Sequence, residues 1–145
     1  MELIIKLLTV FCLGALELWV AIPAGIALNL HPLLAGITAG AGAIVSVIII
    51  LMPGKRIRTW LMRNRKNGGM KHSRLYIIWA RYGAAGLGLL SPILTGAPLG
   101  TALGVALGVP AGRLLLWMSL GIVVWSLLLS FAAILGLAGM GALGN

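Results

Sequence analysis

Leu114 to Ala138 runs for twenty-five residues without a charge. This run constrains the fold most, because one helix needs only ~20 consecutive apolar residues to cross a hydrocarbon core. Leu33 to Met52 adds twenty more, also uncharged. The rest of the chain agrees. Of 145 residues, 61% are hydrophobic and only 9% are charged, against about 25% charged in a soluble domain. The expectation is an all-α integral membrane protein forming a single membrane domain, 1–145.

Between the two long runs lies Ser91 to Arg113, SPILTGAPLGTALGVALGVPAGR. Gly96, Gly100, Gly104, Gly108 and Gly112 recur every fourth residue. On a helix that spacing makes one side-chain-free stripe, along which another backbone can approach. Pro92 and Pro98 precede the helical part and Pro110 follows it, so the predicted helix runs from Pro98 to about Val109. Twelve residues rise only ~18 Å, too little to cross alone. The stretch is therefore part of a longer bent span, or a half-helix that dips in and returns. The second option leaves non-helical backbone at membrane depth, tolerated only inside protein or beside water.

The remaining segments are read in chain order. Segment A, Leu3–Ile22, is apolar except for Lys6 and Glu17, and is predicted to break at Pro23. It starts beside acidic Glu2 and shows no clear cleavage site, so it is expected to be retained. Cys12, the single cysteine, reads as a small buried hydrophobe. A short piece ends at Asn29 and His31 before Pro32 opens segment B, Leu33–Met52, which Pro53-Gly54 is predicted to end. Segment C, Leu75–Leu90, carries Arg81 near its start and is thinned by Gly83, Gly86 and Gly88. Segment D is the run from Leu114, with Trp117 as an interface anchor, Trp125 as a packing residue and a glycine-rich tail expected to fray.

Each half thus reads as a broken segment, a short piece and a span: 1–53 and 75–145. Pro23, Gly25, Ala27 and Leu28 share the spacing PxGxAL with Pro98, Gly100, Ala102 and Leu103, seventy-five positions later. If A to D all cross, the halves are parallel. If A and C each form a re-entrant hairpin with the short piece after it, only B and D cross, and the halves form an inverted repeat. The second arrangement puts Arg113 on the basic side, as the positive-inside rule favours. Lys6 opposes it.

Gly54 to Arg74 holds eight of the eleven basic residues and no acid. Ile57, Trp60 and Leu61 suit a short interfacial helix closed by Asn67-Gly68-Gly69. Between two apolar segments the positive-inside rule explains these charges without a nucleic-acid partner. The segment is expected to be cytoplasmic, to contact anionic lipid, and to place the chain in the inner or plasma membrane. His72 is expected to be solvated there.

Two blocks, ELWVAIPAGIALNLHPLLA from Glu17 and RYGAAGLGLLSPILTGAPLGTALGVALGVPAGRLLLWMSLG from Arg81, resemble the small multidrug export protein family. The likeness covers Glu17 to about Trp125. Leu18-Trp19 departs from the Arg-Gly-like pair expected after the glutamate. The arrangement is also similar to DedA-type membrane proteins, although their acid-rich and Arg-Pro-Gly motifs are missing. That second resemblance implies paired re-entrant hairpins, each followed by a span, and often dimers.

Glu17 leads the candidate site residues, being the only acid besides Glu2. An ionised carboxylate in hydrocarbon is expensive, so it is expected to face a cavity or a cation, either as a proton carrier or in an ion pair with Arg113 or Arg81. Arg113 suits an anionic headgroup or substrate, or snorkels to the interface. Asn29 and His31 either join the site or end a helix. Ser91, Thr95 and Thr101 either line a polar pocket or cap locally. No metal-ligand cluster, nucleophile–base set or phosphate-cradling motif is present, so neither an enzyme nor a cofactor is expected. Three function classes stand open: proton-coupled export of small cationic or amphipathic compounds, lipid transport or scrambling, and a non-transporting assembly role. The expected partners are membrane lipid, a small-molecule or lipid substrate, and a second copy in a homodimer.

Overall fold

The computed structural model describes the backbone of residues 1–64 and 74–143 and the side chains of residues 1–53 and 83–139. The described elements are all helices: α1 Glu2–Leu16, α2 Leu18–Ala27, α3 Pro32–Asn64, α4 Arg74–Leu94, α5 Gly96–Ala106 and α6 Ala111–Leu143. Two stretches are long and apolar enough to cross a membrane, Pro32–Pro53 in α3 and Ala111–Gly139 in α6. They fall on the two uncharged runs. The order helix, break, short helix, turn, long helix occurs twice.

The breaks are not where the prolines predict. Pro23 sits inside α2, and the chain instead leaves helical geometry at Glu17, whose φ of −153° and ψ of 117° are extended. Burial of Leu18, Ala21, Ile22 and Gly25 holds α2 together across the proline. Pro92 lies inside α4, and the second break falls at Thr95. Pro53 does not end α3 either. Proline forfeits one backbone donor, and the good helix formers that follow carry α3 on to Asn64. The separate interfacial helix is therefore the continuation of α3. Its expected closure at Asn67-Gly68-Gly69, His72 and the side chain of Arg81 lie outside the described residues. Pro32, by contrast, opens α3, and Pro110 immediately precedes α6. The tail does not fray early, since α6 reaches Leu143. Cys12 is exposed, not buried.

Each short helix folds back along its predecessor. A methyl placed on Gly25 of α2 would lie 3.2 Å from Val10 Cγ2 of α1, and one on Gly100 of α5 would overlap Ser91 Oγ of α4. Both short helices end in the same turn. Asn29 donates its N–H to the Ile26 carbonyl and Leu30 to the Gly25 carbonyl. Gly108 donates to Val105 and Val109 to Gly104. These are Schellman closures, which need a left-handed residue after the helix. Gly108 supplies it at φ 81° and Asn29 at φ 62°. Glycine does this freely, and asparagine is among the few other residues that do so routinely. The turns align Gly25-Ile26-Ala27-Leu28-Asn29-Leu30 with Gly104-Val105-Ala106-Leu107-Gly108-Val109, 79 positions apart from Asn29 to Gly108. The 75-position match of the prolines is out of register with the fold.

Backbone meets backbone at two seams. In α1–α3, a Cβ on Gly14 would overlap the Ala39 backbone, and one on Gly42 would overlap the Phe11 carbonyl. In α4–α6, a Cβ on Gly88 would overlap the Trp117 backbone, and one on Gly121 would overlap the Gly88 carbonyl. Pro92 has no N–H to give that Gly88 carbonyl, which leaves it facing Gly121, close enough for a Cα–H···O contact. One turn on, the Trp125 indole donates to the Leu89 carbonyl at 2.6 Å. Trp125 packs as expected. Trp117, expected as an anchor, is half-buried on the same seam. Between the halves, α3 runs antiparallel to α6: Gly36 faces Ser130 and Gly40 faces Ser126. The core is built of small and branched residues, among them Ala35, Ala39, Ala43, Val47, Leu114, Met118 and Ile122.

The five-glycine stripe is divided by this fold. Gly96, Gly100 and Gly104 belong to α5, Gly108 to the turn and Gly112 to the first turn of α6. Gly100 and Gly104 accommodate side chains, those of Ser91 and Leu114, rather than a neighbouring backbone. Gly112 has open space.

Candidate functional site

A helix that stops leaves its last carbonyls and the next helix's first N–H groups unpaired. At the first break, Glu17 N–H still bonds the Leu13 carbonyl, and pairing resumes only with Ala21 N–H to the Glu17 carbonyl. The carbonyls of Gly14, Ala15 and Leu16 are passed over. At the second break, Thr95 N–H bonds the Ser91 carbonyl, and those of Pro92, Ile93 and Leu94 are passed over in the same way. Pro98 lies in the first turn of α5, where its missing donor costs least.

The two breaks are neighbours in space. Gly96, immediately after Thr95, has φ 77°, and a methyl placed on it would lie 3.0 Å from the Leu16 carbonyl oxygen, immediately before Glu17. Glycine meets this dihedral and close approach without strain, which a side chain here would add. The crossing is open on one side. Leu16 and Leu94 are 70% and 72% exposed, Trp19 is 45% exposed, and Glu17 and Thr95 are exposed as well. One carboxylate and one hydroxyl, the latter donating to the Ser91 carbonyl at 3.5 Å, thus sit on an otherwise apolar surface beside Leu16 and Leu94, whereas Gly14 and Pro92 are buried.

Of the predicted site residues, Glu17 and Thr95 are brought together here. Ser91 lies one turn before Thr95 and is buried, its hydroxyl donating to Met118 Sδ at 3.3 Å. Thr101 is buried and bonds back to the Ala97 carbonyl at 2.6 Å, the local role it was expected to fill if it lined no pocket. Asn29 and His31 are at the far end of α2, where the imidazole Nδ1 accepts from Leu33 N–H at 3.3 Å as α3 begins. Arg113 follows the far end of α5, about 16 Å along that helix from the crossing. The Glu17–Arg113 pairing is therefore set apart by the length of α5. The ion pair on α1 is between Lys6 and Glu2, at 2.6 Å.

Sequence reasoning missed two buried serines. Ser130 Oγ donates to the Pro32 carbonyl at 3.1 Å and ties α6 to the start of α3. Ser126 Oγ, against Gly40, is buried without a partner. Their signal was present: two hydroxyls four residues apart within a charge-free run.

The family model described as "Putative small multi-drug export protein" matches residues 17–128. The chain belongs to this family. No curated protein and no solved structure matches it, and the DedA-type likeness has no match behind it. The small multi-drug export match begins at Glu17 and takes in both turns, the α4–α6 seam and the α3 side of the α1–α3 seam.

Proposed function

We propose that this membrane protein exports small cationic or amphipathic compounds in exchange for protons, and that Glu17 carries the proton. The supporting observation is the contact of Gly96 with the Leu16 carbonyl, which sets two helix breaks side by side with the acid at one of them. Corresponding discontinuous helices in two halves are where transporter sites lie. Depth agrees. Eleven residues separate Lys6 from Glu17 and fourteen separate Arg81 from Thr95, rises of about 16 and 21 Å in a core ~30 Å thick.

In this reading α1–α2 and α4–α5 are re-entrant hairpins, and α3 and α6 are the crossings of an inverted pair of halves. The antiparallel contact of α3 with α6 supports it, since it puts Arg113 and Pro53 at one end of the pair. The basic residues after Pro53 then lie on the cytoplasmic side. Irregular backbone at this depth is tolerated inside protein or beside a water-filled space, and in this reading water at the crossing gives protons access to Glu17.

The test is proton release from detergent-solubilised protein on addition of a lipophilic cation such as tetraphenylphosphonium. The wild type releases protons and Glu17→Gln, still folded, does not. Equal release from both variants refutes the role of Glu17. The outward exposure of the crossing favours a second reading, lipid-headgroup passage, in which Glu17→Gln leaves lipid scrambling in vesicles intact.

A further inference from the structure

The crossing offers more than a carboxylate. The unpaired groups at the ends of α1 and α4 are carbonyl oxygens; the first N–H groups of α2 and α5, with the positive ends of their dipoles, open at the same breaks, so the formal charge of the crossing comes from Glu17. Leu16 and Leu94 supply the last carbonyl of each helix. Glu17 adds one formal negative charge and Thr95 a hydroxyl, all within one residue of the two breaks. The Leu16 carbonyl oxygen lies against Gly96 at the crossing.

We propose that the crossing binds a dehydrated alkali cation of the size of Na+, held by break carbonyls and the Glu17 carboxylate. The donor set selects the ligand. Every donor is a hard oxygen, with neither thiolate nor imidazole among them, which disfavours Zn²⁺ and the softer transition metals. A single carboxylate balances one positive charge, whereas Ca²⁺ sites gather several carboxylates among six to eight oxygens. Carbonyl oxygens can replace the hydration shell of a monovalent ion, and unwound carbonyls at helix C-termini do so in transporters with broken helices.

This inference shares its site with the export reading but does not need a transported compound, so its test is binding alone. Purified wild-type protein is exchanged into choline chloride and titrated with NaCl at constant ionic strength. The readouts are retained ²²Na+ and the thermal unfolding midpoint. A ligand that binds only the folded state raises that midpoint in proportion to ln(1 + [L]/Kd). The expected result is saturable retention of about one ion per chain and a rising midpoint, both reduced at least tenfold in apparent affinity in Glu17→Gln. Thr95→Ala, which leaves the carboxylate and backbone in place, weakens binding by a smaller factor. Should Glu17→Gln not fold, the wild-type comparison of NaCl with choline chloride still decides the matter. No saturable ²²Na+ retention, or a midpoint that rises equally with choline, overturns the proposal. Proton release on adding lipophilic cation without Na+ binding overturns this inference and leaves the export reading standing. Na+ binding without such release does the reverse.

Discussion

Replacing Gly121 by alanine tests the α4–α6 seam at its tightest point. The new Cβ would fall more than 1 Å short of the ~3.3 Å that carbon needs from a carbonyl oxygen, here that of Gly88, and would lie 3.2 Å from Leu89 Cα. Both obstacles are backbone, so no rotamer change relieves them, and α4 and α6 must separate. Such overpacking costs about 1–3 kcal/mol. Separation also stretches the Trp125–Leu89 hydrogen bond, worth about 0.5–1.5 kcal/mol net. Alanine gains up to ~1 kcal/mol over glycine in helix propensity, but that gain is shared by Gly139→Ala on the same helix, where nothing lies within 4 Å. Propensity therefore cancels between the two variants, leaving a difference of about 1.5–4.5 kcal/mol. Gly104→Ala should fall between them, because what it meets, at 2.6 Å, is the end of the Leu114 side chain. Unfolding of detergent-solubilised protein by increasing SDS, followed by circular dichroism, reads the order. If Gly121→Ala and Gly139→Ala unfold at the same SDS fraction, the backbone contact does not hold these helices together.

The matched turns predict that Gly108→Asn is nearly neutral, because Asn29 adopts the same left-handed conformation at the equivalent position. Gly108→Val should cost about 1–2 kcal/mol for the dihedral alone, since no atom crowds the site, and the same SDS titration separates the two. The inverted reading predicts that reporters fused after Asn145 and within 65–73 report opposite sides of the membrane. Both on one side would contradict it.

The two helices long and apolar enough to cross a membrane were legible because an uncharged run of twenty or more residues has few other uses, and Pro32 was legible because proline at a helix start costs little. The breaks were less so. Leu16-Glu17-Leu18 contains no residue that disfavours a helix, and the extended geometry at Glu17 goes with α2 folding back until Gly25 meets Val10. That is a tertiary contact without a local signature. Pro23 and Pro53 carried the local signature of a break and did not make one. The internal repeat was visible, but small apolar alphabets match in several registers, and only the hydrogen bonds of the two turns distinguish 79 from 75. The four-residue recurrence of glycine misled in a related way, because it continues unbroken from α5 through a turn into α6, where a helical face no longer exists. The candidate site was half legible: the lone acid pointed to Glu17, while nothing in the sequence told that Gly96 would stand beside it.

A helix break that leaves carbonyls unpaired is costly, and this chain carries two. Each leaves three carbonyls that a continuous helix would have paired. One continuous helix from Glu2 to Ala27 would have avoided the first break, and no proline or glycine at residues 16–18 prevents it. The seams therefore have to offset the cost, and they are built to do so: Gly14 against the Ala39 backbone and Gly42 against the Phe11 carbonyl where α1 meets α3, and proline freeing a carbonyl for glycine where α4 meets α6. If the breaks served only to turn the chain, they would not need to touch one another. They do touch, through a glycine at φ 77° where a side chain would be strained and tightly spaced. Strain retained against a cheaper alternative is a pointer to function, and here it points to the oxygens that the two breaks leave unpaired.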